Sequence, residues 1–103
     1  MVAFWELIGF AHVEAPPEIA PYVTWLERDA NQVHLIHTDE PGVPVLGHTA
    51  VVASDFAETT GRLREAGFEV TDARELWGEP RAFAVGPAGH KVELMAAPPP
   101  ATG

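Results

Sequence analysis

The spacing of apolar and polar residues changes along this 103-residue chain, and the changes mark out its elements. Met1 to Ile8 contains no helix breaker and sets Phe4, Leu7 and Ile8 at i, i+3 and i+4, one face of a helix. Gly9 suits the left-handed position just past a helix end. The stretch reads as the last two turns of a helix, too short to be stable unless it docks. Alternation then takes over. Phe10 to Glu14 is a short strand closed by Pro16-Pro17, and Tyr22 to Glu27 and Gln32 to His37 are stronger ones. A turn at Arg28-Asp-Ala-Asn31 joins the last two, giving an antiparallel meander.

Thr38 to Leu46 is polar, with two prolines and a glycine, and reads as a connector. Gly47 to Ala53 is apolar on both faces and predicts a strand covered on both sides. Ser54-Asp55 opens the clearest helix. Asp55 with Glu58 has the spacing of a capping box, and Ser54 is an alternative cap. Phe56, Thr60 and Leu63 form the inner stripe, and Gly67 is the stop signal. Strands follow at Phe68 to Thr71, Arg81 to Val85 and Gly89 to Met95, with an irregular stretch over Asp72 to Gly78 and a tight turn at Gly86-Pro-Ala-Gly89. Ala97 to Gly103 is a proline-rich tail expected to fray.

The two halves echo each other. Gly9-Phe10 matches Gly67-Phe68, an offset of 67 − 9 = 58, and His34-Leu35 matches Glu93-Leu94, an offset of 93 − 34 = 59. One residue of slippage is what a duplicated fold with one loop change would show. The organisation read from this is an incomplete first unit over 1–37, a connector over 38–46, a second unit over 47–96 and a tail over 97–103. The partner of the His48 strand would lie before Met1, so the first half lacks its opening strand and most of its helix. Either the start codon is placed late, or a second copy of the chain fills the open sheet edge. A homodimer is the expectation.

Composition narrows the function classes. A formal charge of −9 with only six Lys and Arg argues against nucleic acid as a partner. No apolar run approaches the ~20 residues needed to span a bilayer, no basic amphipathic stretch suits a membrane surface, and the N-terminus lacks the features of a signal peptide. No cysteine is present, so there is no disulfide and no thiolate metal site. A cytoplasmic protein acting on a small molecule is expected.

The candidate chemistry centres on Glu93. It lies between apolar Val92 and Leu94, where a carboxylate needs a cation or a set of donors. Gln32-Val-His-Leu-Ile-His37 repeats the pattern with His34 where Glu93 stands. The alternatives are a Glu93 that reaches solvent or pairs with Arg81, a His34 that merely lines a cavity, and a His48 that is a hydrogen-bonded core residue. His37 and His90 read as structural or surface residues, and His12 has no assigned role. There is no nucleophile constellation and no glycine-rich phosphate loop.

The segment LGHTAVVASDFAETTGRLREAGFEV, followed by WGEPRAFAVGPAGHKVELM, resembles the glyoxalase/bleomycin-resistance/dioxygenase family, the vicinal oxygen chelate superfamily. The order of features carries the resemblance: a His in the opening strand, a helix ending in Ala-Gly-Phe, a Trp-Gly loop, a Pro-x-Gly turn and Val-Glu-Leu. It is clear over 47–96 and looser over 2–37. It implies an α+β fold of paired βαβββ modules forming a half-open barrel around a divalent metal. Carried over by position, His48 and Glu93 are opening- and last-strand ligands of the second module, and His34 is the last-strand ligand of the first. The first module's opening-strand ligand is absent, which leaves two His and one Glu, a set suited to iron(II), nickel, zinc or manganese. The resemblance implies an enzyme for a small oxygenated substrate, a lyase or isomerase of the lactoylglutathione-lyase type or an extradiol-type dioxygenase. Glu93 would double as base, and Arg81, Trp25, Trp77 and Phe83 would contact substrate. The rival is a metal-free protein of the bleomycin-resistance type that sequesters a drug against its aromatic residues.

Overall fold

The computed structural model describes residues 1–44 and 46–100. The predicted fraying of Ala101 to Gly103 lies outside the described residues. The chain divides into two compact units, Met1–Gly42 and Val43–Gly103.

The first unit holds α1 (Val2–Leu7), β1 (Ala11–Val13), β2 (Val23–Arg28) and β3 (Asn31–Ile36). Its antiparallel sheet runs in the order β1-β2-β3. Phe4, Trp5, Ile8, Phe10 and Leu26 are buried. Trp5 replaces the expected Leu7 on the inner face of α1, because its ring meets Phe4 and Phe10 edge to face at 5.7 and 5.2 Å. Arg28 closes the helix end from the sheet, with Nη1 donating to the Ile8 carbonyl at 3.0 Å. The β2–β3 turn is tight. Arg28 pairs with Asn31, and Asp29 takes a left-handed φ of 55°, which short polar side chains tolerate.

The second unit is a complete strand–helix–three-strand module: β4 (Thr49–Val52), α2 (Phe56–Glu65), β5 (Val70–Ala73), β6 (Arg81–Val85) and β7 (Lys91–Met95). Its sheet order is β4-β7-β6-β5, with β4 parallel to β7 and the other neighbours antiparallel. One face carries Ala82, Ala84, Val92 and Leu94, all buried, together with Leu63 of α2. Burying each large aliphatic of this set is worth about 1.5–3 kcal/mol. Alternation then forces Arg81, Phe83, Glu93 and Met95 onto the opposite face.

Two expectations are corrected. The capping box does not form: the Asp55 side chain makes no cap bond to the backbone. Its carboxylate instead accepts from the Thr59 hydroxyl at 2.9 Å and the Arg62 guanidinium at 3.1 Å, and those donors outcompete the backbone amides. Nor is β4 covered on both sides. Thr49 and Ala50 are exposed and Val51 and Val52 are half-buried, with β4 at the edge of its sheet among the described residues.

The internal repeat is written in hydrogen bonds. Both helices end in a Schellman turn on a glycine with positive φ, Gly9 at 103° and Gly67 at 90°. Gly9 and Phe10 donate to Glu6 and Trp5, and Gly67 and Phe68 donate to Arg64 and Leu63, each partner displaced by 58 residues. The strands keep the same register, since Trp25 faces His34 as Phe83 faces Glu93. The one-residue slip has a definite place. Arg28 and Asn31 enclose two residues, whereas Gly86, bonded to the His90 carbonyl, encloses three.

Candidate functional site

The site begins with strand register. Glu93 lies beside Ala50 of β4 on one side and Phe83 of β6 on the other. His48, two residues before Ala50, falls on the same face, and Arg81 does so two residues before Phe83. Glu93 is only 8% exposed. A carboxylate so enclosed needs partners, and it has one for each oxygen. Oε2 accepts from Arg81 Nε at 2.8 Å, and Oε1 stands 2.9 Å from His48 Nε2. The Arg81 guanidinium, with a smaller contribution from His48, holds the Glu93 carboxyl below its ordinary value although burial pushes it up. Glu93 is therefore a carboxylate at neutral pH.

Arg81 is itself fixed. Nη1 donates to the Arg74 carbonyl. The guanidinium lies 5.7 Å from the Trp77 ring centre and 5.9 Å from that of Phe83. Trp77 is pinned in turn by its indole N–H, which donates to the Ala97 carbonyl at 3.3 Å. Arg81, Trp77 and Phe83, three of the four expected substrate contacts, thus pack round the carboxylate, and Phe83 also meets His48 edge to face at 5.0 Å.

The protonation of His48 follows from its neighbours. Nδ1 faces the Leu46 carbonyl oxygen at 3.1 Å. That oxygen can only accept, so Nδ1 carries the hydrogen. A neutral ring would then present the Nε2 lone pair to Oε1, also an acceptor. Two acceptors at 2.9 Å require a cation in common, which is either a second proton on the ring or a metal ion. Ligands bound at ~2.1 Å and at right angles stand about 3.0 Å apart, so the donor pair has the separation of two neighbouring metal ligands. The outer bonds, Nδ1–H to a carbonyl and Oε2 to a guanidinium, are of the kind that orient metal ligands.

His34 and Trp25, the remaining expected site residues, belong to the first unit. Their rings stack at 4.1 Å and 4°. Gln32 donates to Glu27 at 2.9 Å, so its carbonyl oxygen receives the His34 Nε2 hydrogen at 2.8 Å. Among the described residues, no three His, Asp or Glu side chains form a group that could hold a metal ion. His48 and Glu93 meet as a pair. His37, read as structural, receives the Thr24 hydroxyl at 2.8 Å and donates to the Pro21 carbonyl at 3.2 Å. Sequence reasoning missed the supporting carbonyls of Leu46 and Arg74 and the Glu27–Gln32 relay. Only the relay had a signal, since Gln32 and His34 share a face at i, i+2.

Solved structures with the same arrangement of elements bear out the fold that the resemblance implies. A protein assigned to the glyoxalase family from Bacillus anthracis aligns over 89% of this chain and 76% of its own, with a TM-score of 0.78 at 22% identity. The chain shares the fold of this protein. The fosfomycin resistance protein FosX of Listeria monocytogenes shares this fold over 93% of this chain and 79% of its own, with a TM-score of 0.74 at 16% identity. A bleomycin-binding protein solved with bleomycin shares it over 94% and 87%, with a TM-score of 0.66 at 19% identity. No family model matches the sequence, and no curated protein sequence does. No helix among the described residues is long and apolar enough to cross a membrane.

Proposed function

We propose that the protein is a metal-dependent enzyme acting on a small oxygenated molecule, either a lyase or isomerase or an extradiol-type dioxygenase. The observation that supports this reading is the His48–Glu93 pair, whose Nε2 and Oε1 stand 2.9 Å apart. His48 Nε2 and Glu93 Oε1 would be the second unit's ligands to a divalent ion, iron(II), nickel, zinc or manganese. Bound there, the ion supplies Lewis acidity towards neighbouring oxygens of the substrate. The chain's own residues do the rest. Arg81 keeps Glu93 ionised and occupies Oε2, so that one carboxylate oxygen faces His48. The Leu46 carbonyl fixes the His48 tautomer. Phe83 packs edge to face against His48, and Trp77 lies against the Arg81 guanidinium. Glu93 is the candidate base.

Elemental analysis and titration of the purified protein test this, beside His48→Ala and Glu93→Gln. The expected result is one divalent ion per chain in the parent, with a loss of affinity of about 100-fold or more in each variant. Failure to bind any of the four ions would overturn it.

A second reading, drug sequestration without metal, is favoured by Arg81. Its ion pair already satisfies Glu93, and the half-buried Trp77 and Phe83 offer stacking surface. On that reading His48→Ala leaves ligand affinity unchanged.

A further inference from the structure

Each sheet ends in a strand whose outer backbone groups point away from its neighbour. The His37 amide donates to the Tyr22 carbonyl at 2.9 Å, so these two residues are a bonded pair continuing the β2–β3 ladder. Bonded and unbonded pairs alternate along an antiparallel ladder, so Gln32, His34 and Ile36 turn their N–H and C=O groups away from β2. β3 is the last strand of its sheet, and no strand among the described residues meets those groups. The second unit shows the same edge in use. Glu93 and Met95 stand 59 residues after His34 and Ile36 and turn their groups away from β6. There β4 receives them, with the Ala53 amide donating to the Met95 carbonyl at 2.8 Å. That pairing directs the backbone groups of Ala50 to the far side of β4, which is the last strand of its own sheet.

Open edges are normally guarded by charge, proline or shortness. β1 has only three residues, and β5 carries Asp72. β3 and β4 contain no Lys, Arg, Asp or Glu. Large apolar side chains stand at both: Ile36 at the end of β3 is 66% exposed, and Leu46 just before β4 is 84% exposed. We propose that β3 of one copy pairs with β4 of a second copy, so that two such junctions close a twofold dimer. The two edges have the same hand. β4 lies on the side of β7 that is open on β3, and its own free edge faces further the same way. Val33 and Leu35 stand where Val92 and Leu94 stand, so the inner faces also correspond. Two edges of one hand keep their inner faces on a common side only when the strands run antiparallel, and the junction is therefore antiparallel. Pairing there buries none of the carboxylates behind the chain's formal −9. It braces the strand that follows His48, and with it the contact of His48 with Glu93.

Sedimentation equilibrium of the full chain should give the mass of two chains. Proline at an edge position whose N–H points outward removes no bond of its own sheet. Ile36→Pro and Ala50→Pro should therefore keep the circular dichroism of the parent and sediment as single chains. Asp72→Pro alters the outward edge of β5 and should remain a dimer; its dissociation would overturn the placement of the junction. A monomeric parent, or a folded Ile36→Pro that remains a dimer, overturns the proposal. Amide hydrogen exchange of the parent, followed by NMR, needs no variant. In the dimer the amides of His34, Ile36 and Ala50 should exchange as slowly as that of Leu35, which is bonded within the β2–β3 ladder. Fast exchange of the three in a dimer overturns the junction. Slow exchange in a monomer overturns the second copy as its occupant.

Discussion

Replacing Arg81 by Met should be among the most damaging single changes in the second unit. The variant keeps a stem of similar length but removes the guanidinium that meets Glu93 at 2.8 Å. Breaking an enclosed ion pair from one side typically costs 3–5 kcal/mol, because the other charge stays behind. Here the lower end applies: each side chain keeps about a tenth of its surface, and His48 remains beside Oε1. The Arg74 carbonyl is left to water at little cost, since Arg74 is exposed. The expected loss is about 3 kcal/mol, a large part of the stability typical of a small domain. Glu93→Met, which strands the guanidinium instead, should cost about the same. The double variant should recover much of the loss, because two apolar side chains leave no unpaired charge. Urea unfolding monitored by circular dichroism reads this directly. Each single change should lower the midpoint by about 2 M, and the double-mutant cycle should give a coupling of at least about 2 kcal/mol. A double variant whose loss equals the sum of the singles, within about 0.5 kcal/mol, would refute the reading of this pair as one electrostatic unit.

Acid should expose the same pair. Glu93 is held below its ordinary value of 4.5, chiefly by Arg81, so the folded state binds its proton later than the unfolded state does. The stability it contributes is complete above that value and is lost as pH falls through the lower folded one. Urea midpoints should stay level from neutrality to about pH 5 and fall below it, less steeply in Glu93→Gln. Asp55, lowered by Arg62 and Thr59, adds to the fall with the same sign. The two Schellman glycines should differ under substitution. Gly67→Ala meets open space and costs only the left-handed backbone, about 1–2 kcal/mol. Gly9→Ala also drives a methyl to 3.2 Å from the Arg28 side chain and should cost more by thermal melting. Glu58→Ala should be nearly neutral, whereas Asp55→Ala should lose up to about 1 kcal/mol through Thr59 and Arg62, because those bonds and not a capping box hold the start of α2. Equal losses in that last pair would restore the capping box.

Much of this was legible in the chain because it rests on period and on glycine. Gly9 and Gly67 mark equivalent helix ends, and the alternation in 91–95 puts Glu93 on the face opposite the buried Val92 and Leu94. His48 and Glu93 could be placed together by resemblance, 45 residues apart, but not by spacing. What stayed hidden depends on register across strands. Arg81 was offered both as a substrate contact and as the partner of Glu93. The offset between β6 and β7, which sets Arg81 beside Met95 and Phe83 beside Glu93, makes the partnership with Glu93. The tautomers of His34 and His48 were beyond the sequence, since both depend on where a single acceptor oxygen sits. The capping box failed for a related reason: a local motif lost to competing donors one turn along the same helix.

The parallel pairing of β4 with β7 has a consequence for the order in which the second unit comes together. Helix end, hairpins and turns in that unit all close over short loops. Joining β4 to β7 means closing a loop of more than forty residues, and the pairing rests on four residues of a half-exposed edge. Such a contact forms late and opens early. His48 is carried on that edge, so the site exists only once the slowest contact has closed and vanishes first when the unit loosens. A ligand gripping His48 and Glu93 together would act as a clasp across the seam. Loading should slow amide hydrogen exchange along β4 more than anywhere else in the chain.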